Sequence, residues 1–236
     1  MAEARLRAVL FDAVGTLIRL REPVGATYAR FAAAQGTTIP AGRLEEAFAR
    51  CRDAAPAMVF PGEPLVRAEA LERAWWRRLV EDTFRAADGA VQPRDFEALF
   101  AGLWLHYAGP EAWELAPGAR EALLGLRGRG LATGIVSNFD QRLRAVLRGL
   151  AIHHLFHAIV LPAEIGARKP DRAIFDAALK RLGLAGEQVA YVGDNAAEDL
   201  AASRAAGLRP IDARTLATLA ELPQALGLAD VPREGS

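Results

Sequence analysis

The sequence has a single cysteine, only two lysines and no net charge. One cysteine, Cys51, excludes an intrachain disulfide framework and a zinc site built from several cysteines. Lys+Arg and Asp+Glu both number 29 among the 236 residues. This balance argues against a nucleic-acid binder and against a protein held to an anionic membrane by charge. The apolar run in the opening MAEARLRAVLFD is too short for a signal peptide or a membrane span, so we expect a cytoplasmic protein.

The rest of the composition is that of an ordinary globular protein, with 52% hydrophobic and 25% charged residues. A chain of this length can bury roughly 70–75% of its unfolded surface, so it needs no disulfide or structural metal to fold. The only lysines are Lys169 and Lys180. Any mechanism that needs a lysine ammonium therefore has two candidate positions.

Two patterns of apolar residues alternate along the chain. A short apolar run over 8–12 ends at Asp12, and no convincing strand follows between residues 18 and 115. Within that segment, apolar residues recur at intervals of three and four, which predicts amphipathic helices. These helices are expected over 23–35, 41–55, 68–86 and 94–107.

After Pro117-Gly118, short apolar runs alternate with helical patterns. The runs cover 131–137, 157–162 and 189–194, and 208–212 is a further short strand candidate. Such alternation is typical of a parallel sheet with helices on both faces. We therefore predict a doubly wound, Rossmann-like α/β core made of 1–17 and 116–236, interrupted by an all-helical insertion over 18–115.

Polar residues stand at the ends of several apolar runs, where open parallel sheets bind ligands. They are Asp12, Ser137, Asn138, Lys169, Asp194 and, five residues further on, Asp199. A carboxylate can attack phosphorus, and neighbouring carboxylates can hold Mg²⁺ through oxygen ligands. A lysine and hydroxyl or amide donors can stabilise charge on a phosphoryl group. The set therefore favours phosphoryl transfer to a carboxylate.

Four segments in order, FDAVGTL, IVSNFD, ARKPD and VGDNAAEDLAASRAAG, resemble the motifs of the haloacid dehalogenase-like hydrolase superfamily. The helical insertion resembles the α-helical cap of that superfamily. LIRLREPVGATYARFAAAQG, the pair Trp75-Trp76 and SNFDQRL are similar to the branch named after haloacid dehalogenase-like hydrolase domain-containing protein 3. The resemblance implies a hydrolase that acts on a small phosphorylated molecule with Mg²⁺, without nucleic-acid or membrane partners.

The resemblance also implies a role for each matching position. Asp12 would be the nucleophile and a metal ligand, and Lys169 would neutralise the charge of Asp12 and phosphate. Ser137 and the Asn138 backbone would bind the transferring group. Gly15 and Thr16 would line the phosphate, since a glycine lets the backbone approach closely. The remaining metal positions would be the Val14 carbonyl, Asp194 and Asp199.

Val14 departs from the family pattern. Phosphatases of the superfamily carry an aspartate there that protonates the leaving group, and valine has no proton to give. General acid catalysis typically contributes ~10²–10⁴-fold, so its loss should slow turnover. Three interpretations remain open: a weak phosphatase, a 2-haloacid dehalogenase working without metal, and a binding or regulatory protein on this scaffold.

Some polar and aromatic residues have plainer interpretations. Glu198 is expected to be a helix-surface acid, whereas Asp140 could orient the Ser137 loop. The four tryptophans are expected to belong to helical cores, with one able to face the cleft.

Overall fold

The computed structural model describes residues 5–228, so residues 1–4 and 229–236 of the predicted core range lie outside the described part. Five parallel strands form one sheet in the order β5-β4-β1-β6-β7, and β2 and β3 pair separately. The strands are β1 (Ala8–Phe11), β2 (Ile18–Leu20), β3 (Trp113–Leu115), β4 (Ala132–Val136), β5 (Ala158–Val160), β6 (Val189–Gly193) and β7 (Arg209–Asp212).

Ten α-helices accompany these strands within the described residues. They are α1 (Val24–Ala33), α2 (Ala41–Ala54), α3 (Leu65–Ala87), α4 (Phe96–Ala108), α5 (Ala119–Gly128), α6 (Leu143–Gly149), α7 (Pro162–Ile165), α8 (Arg172–Leu182), α9 (Ala202–Ala205) and α10 (Leu222–Ala225).

The central strand β1 is apolar on both sides, and each of its four residues is fully buried. Successive side chains of a strand point to opposite faces. Val9 and Phe11 accordingly pack with residues of α5, α6 and α10, while Ala8 and Leu10 pack with residues of α8 and α9. Helices therefore cover both faces of the parallel sheet, which confirms the predicted doubly wound α/β fold.

Helices α1 to α4 form a separate apolar cluster, and we call this segment the helical insert. Its centre contains Tyr28, whose ring stacks on that of Phe84 at 5.8 Å between centroids. The insert contacts the rest of the chain where α3 meets α7 and α4 meets α6. These contacts place the insert over the edge of the sheet that carries the polar residues.

The expectation of no strand between residues 18 and 115 is wrong at both ends of that segment. Strands β2 and β3 pair antiparallel, with Ile18 opposite Leu115 and Leu20 opposite Trp113. Three-residue strands are too short to show a period-two pattern, so the sequence signal was missing. The segment is therefore helical between two short strands that pair with each other.

The helical segment between β6 and Gly207 is not a regular α-helix throughout. Residues Ala196–Ala201 form a π-helical turn that continues into α9, and Gly207 follows with φ +88°. Single π-turns inside helices are frequent at functional sites. This turn carries Asp199 and Glu198.

Candidate active site

Three carboxylates meet where the sheet ends beneath the helical insert. Asp12 directly follows β1, Asp194 directly follows β6, and Asp199 lies on the π-turn. Because β1 and β6 are neighbouring parallel strands, their carboxyl ends lie side by side. One oxygen from each carboxylate lies within 4.8 Å of the others. Three of the residues expected at a metal site are thus brought together.

The Lys169 ammonium lies between two of these carboxylates. Its Nζ donates to Asp12 Oδ1 at 2.7 Å, to Asp199 Oδ1 at 2.5 Å and to the Tyr191 hydroxyl at 3.0 Å. The residue is only 2% exposed. Burial by itself lowers the pKa of Lys169, but the charges of Asp12 and Asp199 and their hydrogen bonds raise it further than burial lowers it. The lysine is therefore charged at neutral pH.

Two of the three carboxylates, those of Asp12 and Asp194, have raised pKa values. Burial raises the pKa of Asp12, and Asp199 raises it further, while Lys169 opposes the rise. Burial and then Asp199 also raise the pKa of the half-buried Asp194. Three carboxylates face one ammonium, so the cluster has excess negative charge. This charge balance and the oxygen-only ligand set fit a hard divalent cation such as Mg²⁺.

Asp199 has both of its oxygens engaged by the protein. Oδ1 accepts from Lys169 Nζ and lies 3.0 Å from the Tyr191 hydroxyl. Oδ2 accepts from the backbone N–H groups of Asp194, at 3.2 Å, and Asn195, at 3.0 Å. A Cβ on Gly193 would lie 2.5 Å from Asp199 Cβ, so only glycine allows this approach. Asp199 therefore holds both the lysine and the turn that carries Asp194.

The turn after Asp12 brings the first motif against Asp194. Gly15 has φ +89°, and a Cβ there would lie 2.4 Å from Asp194 Oδ2. Val14 lines the cavity described below and is 39% exposed. Thr16 is buried, with no hydrogen-bond partner for its Oγ1. Gly15 and Thr16 lie outside the cavity lining, and their expected contact with phosphate stays a prediction.

Ser137 and Asn138 follow β4 at the same edge of the sheet. Ser137 is 3% exposed and lines the cavity, and its Oγ accepts from the Phe139 N–H at 3.3 Å. The Asn138 side chain makes two hydrogen bonds to the Lys169 backbone. Its Oδ1 accepts from Lys169 N at 2.8 Å, and its Nδ2 donates to Lys169 O at 3.0 Å. The side chain of Asn138 thus positions the lysine loop.

Glu198 takes part in the site, so its interpretation as a helix-surface acid is wrong. One carboxylate oxygen accepts from Asn138 Nδ2 at 3.0 Å and the other from Arg168 at 2.9 Å. The residue also lines the cavity. Glu198 lies on the π-turn, and the spacing of residues in the sequence does not indicate such a turn.

A cavity of about 640 Å³ extends from the carboxylates into the helical insert. Its sheet end contains Asp12, Lys169 and Asp194. Its insert end is lined mainly by apolar and aromatic side chains. They are Leu20, Val24, Tyr28, Phe48, Trp76, Val80, Phe100, Leu103, Trp104, Tyr107, Trp113 and Phe139.

Three of the four tryptophans line this cavity, where at most one was expected. Trp76, Trp104 and Trp113 come from α3, α4 and β3. Helical periodicity indicates a buried face but cannot distinguish a packed core from the wall of a cavity. The sequence therefore located the aromatic residues without showing what they face.

One cluster joins the insert to the loop after β4. Asp140 is fully buried and accepts from Trp76 Nε1 at 2.7 Å and from Arg142 Nη2 at 2.6 Å. The Arg142 guanidinium lies 3.8 Å from the centroid of the Trp104 ring. Asp140 was expected to orient the Ser137 loop. The same carboxylate also binds Trp76 of the insert, so it joins the loop to the insert.

Glu72, one turn before Trp76, is a buried carboxyl at this junction. It is 2% exposed, and its Oε2 accepts from the Gln141 N–H at 3.3 Å. Burial, followed by the charge of Asp140, raises the pKa of Glu72 to about 8. Glu72 therefore carries a proton at neutral pH.

Tyr191 is the main site residue that sequence reasoning missed. It lies in the middle of β6, fully buried, and its hydroxyl lies 2.9 Å from Val136 O and 3.0 Å from Asp199 Oδ1. Its signal was the one polar atom in the apolar run VAYVG. A buried tyrosine hydroxyl normally needs a partner, which points to a polar cluster nearby.

Comparison with known proteins gives a consistent family. A model of haloacid dehalogenase-like hydrolases matches residues 6–207. Haloacid dehalogenase-like hydrolase domain-containing protein 3 of Danio rerio is 35% identical over 86% of this chain and 83% of its own.

Two solved structures illustrate the shared fold. The putative hydrolase YfnB of Bacillus subtilis, bound to magnesium, is 20% identical, with TM-score 0.67 over 95% of this chain and 100% of its own. A 2-haloacid dehalogenase of Pseudomonas syringae pv. Tomato is 23% identical, with TM-score 0.58 over 94% of this chain and 98% of its own. Among residues 5–228, no helix is both long and apolar enough to cross a membrane. From the family model and the curated relative together, the chain belongs to the haloacid dehalogenase-like hydrolases.

Proposed function

We propose that this protein is a magnesium-dependent phosphatase that hydrolyses a small phosphorylated molecule through an aspartyl-phosphate on Asp12. The observation that carries the proposal is the group of three carboxylates around one buried ammonium at the head of the cavity. A metal-free dehalogenase would leave three carboxylates facing the single Lys169 ammonium, with an excess of negative charge. A divalent cation in this position relieves that repulsion.

Asp12 and Asp194 are the carboxylates that we assign as direct metal ligands, with the Val14 backbone carbonyl as a third. Both oxygens of Asp199 already accept hydrogen bonds from the protein, so we assign Asp199 to positioning Lys169 and the Asp194 turn. When bound, Mg²⁺ would offset the negative charge of the phosphoryl oxygens.

The protein's own groups divide the chemistry between them. The Asp12 carboxylate attacks phosphorus, and the bond from phosphorus to the leaving oxygen breaks. Lys169 opposes the rise that burial causes in the pKa of Asp12, and it stabilises negative charge on the phosphoryl group. The Ser137 hydroxyl donates to a phosphoryl oxygen. Water then attacks the aspartyl-phosphate, which regenerates Asp12 and releases inorganic phosphate.

The cavity wall at Val14 limits this activity. Val14 places an aliphatic side chain beside Asp12 where relatives with full phosphatase activity would need a proton donor. We therefore propose slow turnover. We further propose that residues 18–115 act as a cap that selects the substrate, over a catalytic core of 1–17 and 116–236.

Release of phosphate from 4-nitrophenyl phosphate tests the proposal. Wild type should release phosphate with Mg²⁺ and stop when a chelator is added, and Asp12→Asn should be inactive. Halide release from 2-chloropropionate that persists in chelator would instead establish a dehalogenase. If neither product forms, a binding protein on this scaffold becomes the better account.

Calorimetry tests the metal assignment without any turnover. Mg²⁺ should bind wild type and bind Asp194→Asn more weakly, because a charged oxygen ligand is lost. Asp212→Asn is a matched control, since Asp212 lies at the end of β7 and is paired with Arg214. Equal Mg²⁺ affinity in wild type and Asp194→Asn would contradict the assignment.

A further inference from the structure

Resting on the proposed phosphatase function, we propose that the substrate is an aryl phosphate: a phosphate monoester of a phenol whose remaining part is apolar and uncharged. Two independent features of the cavity carry this inference. One is the chemistry of its insert end, and the other is the side chain beside the leaving oxygen.

The insert end of the cavity is lined by aromatic rings. Phe48 of α2, Trp104 of α4 and Phe139 of the loop after β4 supply rings from three separate parts of the chain. Trp104 is additionally held by Arg142, whose guanidinium stacks on its ring. A volume of about 640 Å³ leaves room for one or two rings beside a phosphoryl group. Aromatic ligands pack favourably against such ring faces and edges.

The charged residues of the cavity argue against a second anionic group on the substrate. Its cations are Lys169, Arg142 and Arg52, and each already contacts a carboxylate: Lys169 contacts Asp12, Arg142 contacts Asp140 at 2.6 Å, and Arg52 contacts Asp53 at 3.1 Å.

Glu45 of the lining adds negative charge away from the carboxylate cluster, while Glu198 is paired with Arg168. A carboxylate or second phosphate on the substrate would therefore meet repulsion and find no unpaired cation among the described lining residues. Uncharged aromatic groups meet neither penalty.

Val14 supplies the second argument, because the leaving oxygen departs without a protein proton donor there. A phenol has a pKa of about 10, as in tyrosine, whereas an aliphatic hydroxyl is a far weaker acid, comparable with water. Phenolate therefore leaves with much less need of protonation. An apolar residue at position 14 costs an aryl ester little and an alkyl ester a great deal.

The reaction balances without any further reactant. The Asp12 carboxylate forms a bond to phosphorus as the bond from phosphorus to the aryl oxygen breaks, and the electron pair leaves on the phenolate. Phenolate takes a proton from water. Water cleaves the aspartyl-phosphate, so the sum is aryl phosphate plus water giving phenol plus inorganic phosphate.

Measurement of kcat/KM for four phosphate monoesters with the wild-type protein tests the leaving-group effect and the cavity effect separately. Phenyl and cyclohexyl phosphate match in size but differ in leaving group, and we expect phenyl to be faster by ~10². 2-Naphthyl phosphate should exceed phenyl phosphate by ~10-fold through added apolar contact. 4-Carboxyphenyl phosphate should fall below phenyl phosphate.

Variants of one residue connect the preference to the cavity. Trp104→Ala should lower kcat/KM for 2-naphthyl phosphate by ~10-fold and reduce its advantage over phenyl phosphate. Trp104→Phe should retain most of that advantage. Leu105→Ala is the matched control, since the neighbouring Leu105 is 70% exposed and lies outside the cavity lining. Thermal unfolding of each variant identifies any that fail to fold.

Failure of the aryl assignment and failure of the phosphatase proposal give different results. Release of phosphate from all four esters with no preference for aryl, or with a preference for the carboxylated ester, overturns the aryl assignment and leaves the phosphatase standing. An unchanged naphthyl advantage in folded Trp104→Ala also overturns it. Absence of phosphate release from every ester overturns the proposed function and this inference together.

Discussion

At the sheet end of the cavity, Lys169 is almost completely buried and makes three hydrogen bonds to oxygen atoms, whereas the insert end is lined mainly by apolar and aromatic side chains such as Trp104 and Phe48. The first end has geometry set by charge and directional bonds. The second has shape set by packing. A change at the sheet end should therefore affect chemistry with every substrate, and a change at the insert end should affect the choice among substrates.

Removal of the buried ammonium should produce the largest effect. Lys169→Met keeps the length of the side chain but leaves Asp12 and Asp199 without their cation. Phosphate release should fall by ~10²–10³, the scale for loss of one preorganised electrostatic partner. Stability should fall by about 3–5 kcal/mol, because breaking a buried ion pair strands a charge. Steady-state kinetics and urea unfolding measure the two effects.

Lys180→Met is the control for that substitution, since Lys180 is the other lysine and is exposed on α8. It should leave both activity and unfolding close to wild type. Full activity in a folded Lys169→Met protein would show that the ammonium is not needed for the chemistry.

A carboxyl at position 14 should have a large effect that depends on the leaving group. Val14→Asp places a proton donor beside the leaving oxygen, with ~10²-fold as the scale for a working general acid. Cyclohexyl phosphate should gain more than phenyl phosphate, because its leaving group needs the proton. The measurement is kcat/KM for both esters, with Asp12→Asn as the blank. No gain on either ester, in a folded variant that binds Mg²⁺, would show that the site lacks more than its acid.

At the junction between the two ends, the expected effect is on the pH dependence of stability. The pKa of Glu72 is about 8 in the folded chain, against an ordinary 4.5. Below pH 4.5, Glu72 is protonated in both the folded and the unfolded chain, so its burial does not reduce stability through ionisation. As pH rises through this interval, the unfolded chain ionises first and the folded chain loses stability. Glu72→Gln should therefore unfold at a higher temperature than wild type at pH 8 and at a similar temperature at pH 4.5.

The size of this difference follows from the same values. One pKa unit corresponds to about 1.4 kcal/mol, and about 1 kcal/mol shifts the Tm of a chain this long by roughly 2–4 °C. Scanning calorimetry should thus separate the two proteins by roughly 10 °C at pH 8. Glu69→Gln, on the exposed side of the same helix, should show no such separation. Parallel pH profiles for wild type and Glu72→Gln would rule out a buried, protonated Glu72.

The parts of the fold that the sequence predicted are those with a strong local signal. Four of the five strands of the large sheet were recognised because each is a continuous apolar run, and the proximity of Asp12, Lys169 and Asp194 was predicted because strand ends converge at one edge. Tyr191 was missed because a tyrosine within an apolar run is compatible with simple packing. The positions of Trp104 and Glu198 depend on helix packing and on a π-turn, which residue spacing does not specify.

The short ribbon of β2 and β3 has a consequence for how this architecture can vary. The pairing of Ile18 with Leu115 continues through a hydrogen bond from Arg21 N to Ala112 O at 3.0 Å. The points where the chain leaves and rejoins the sheet region are therefore direct neighbours. Helical segments of different length or sequence can be spliced between these two strands without altering the distance that the junction must span. The ribbon therefore holds the two ends of the insert together. A different insert can then change substrate selectivity while the strands that precede Asp12 and Asp194 keep their positions.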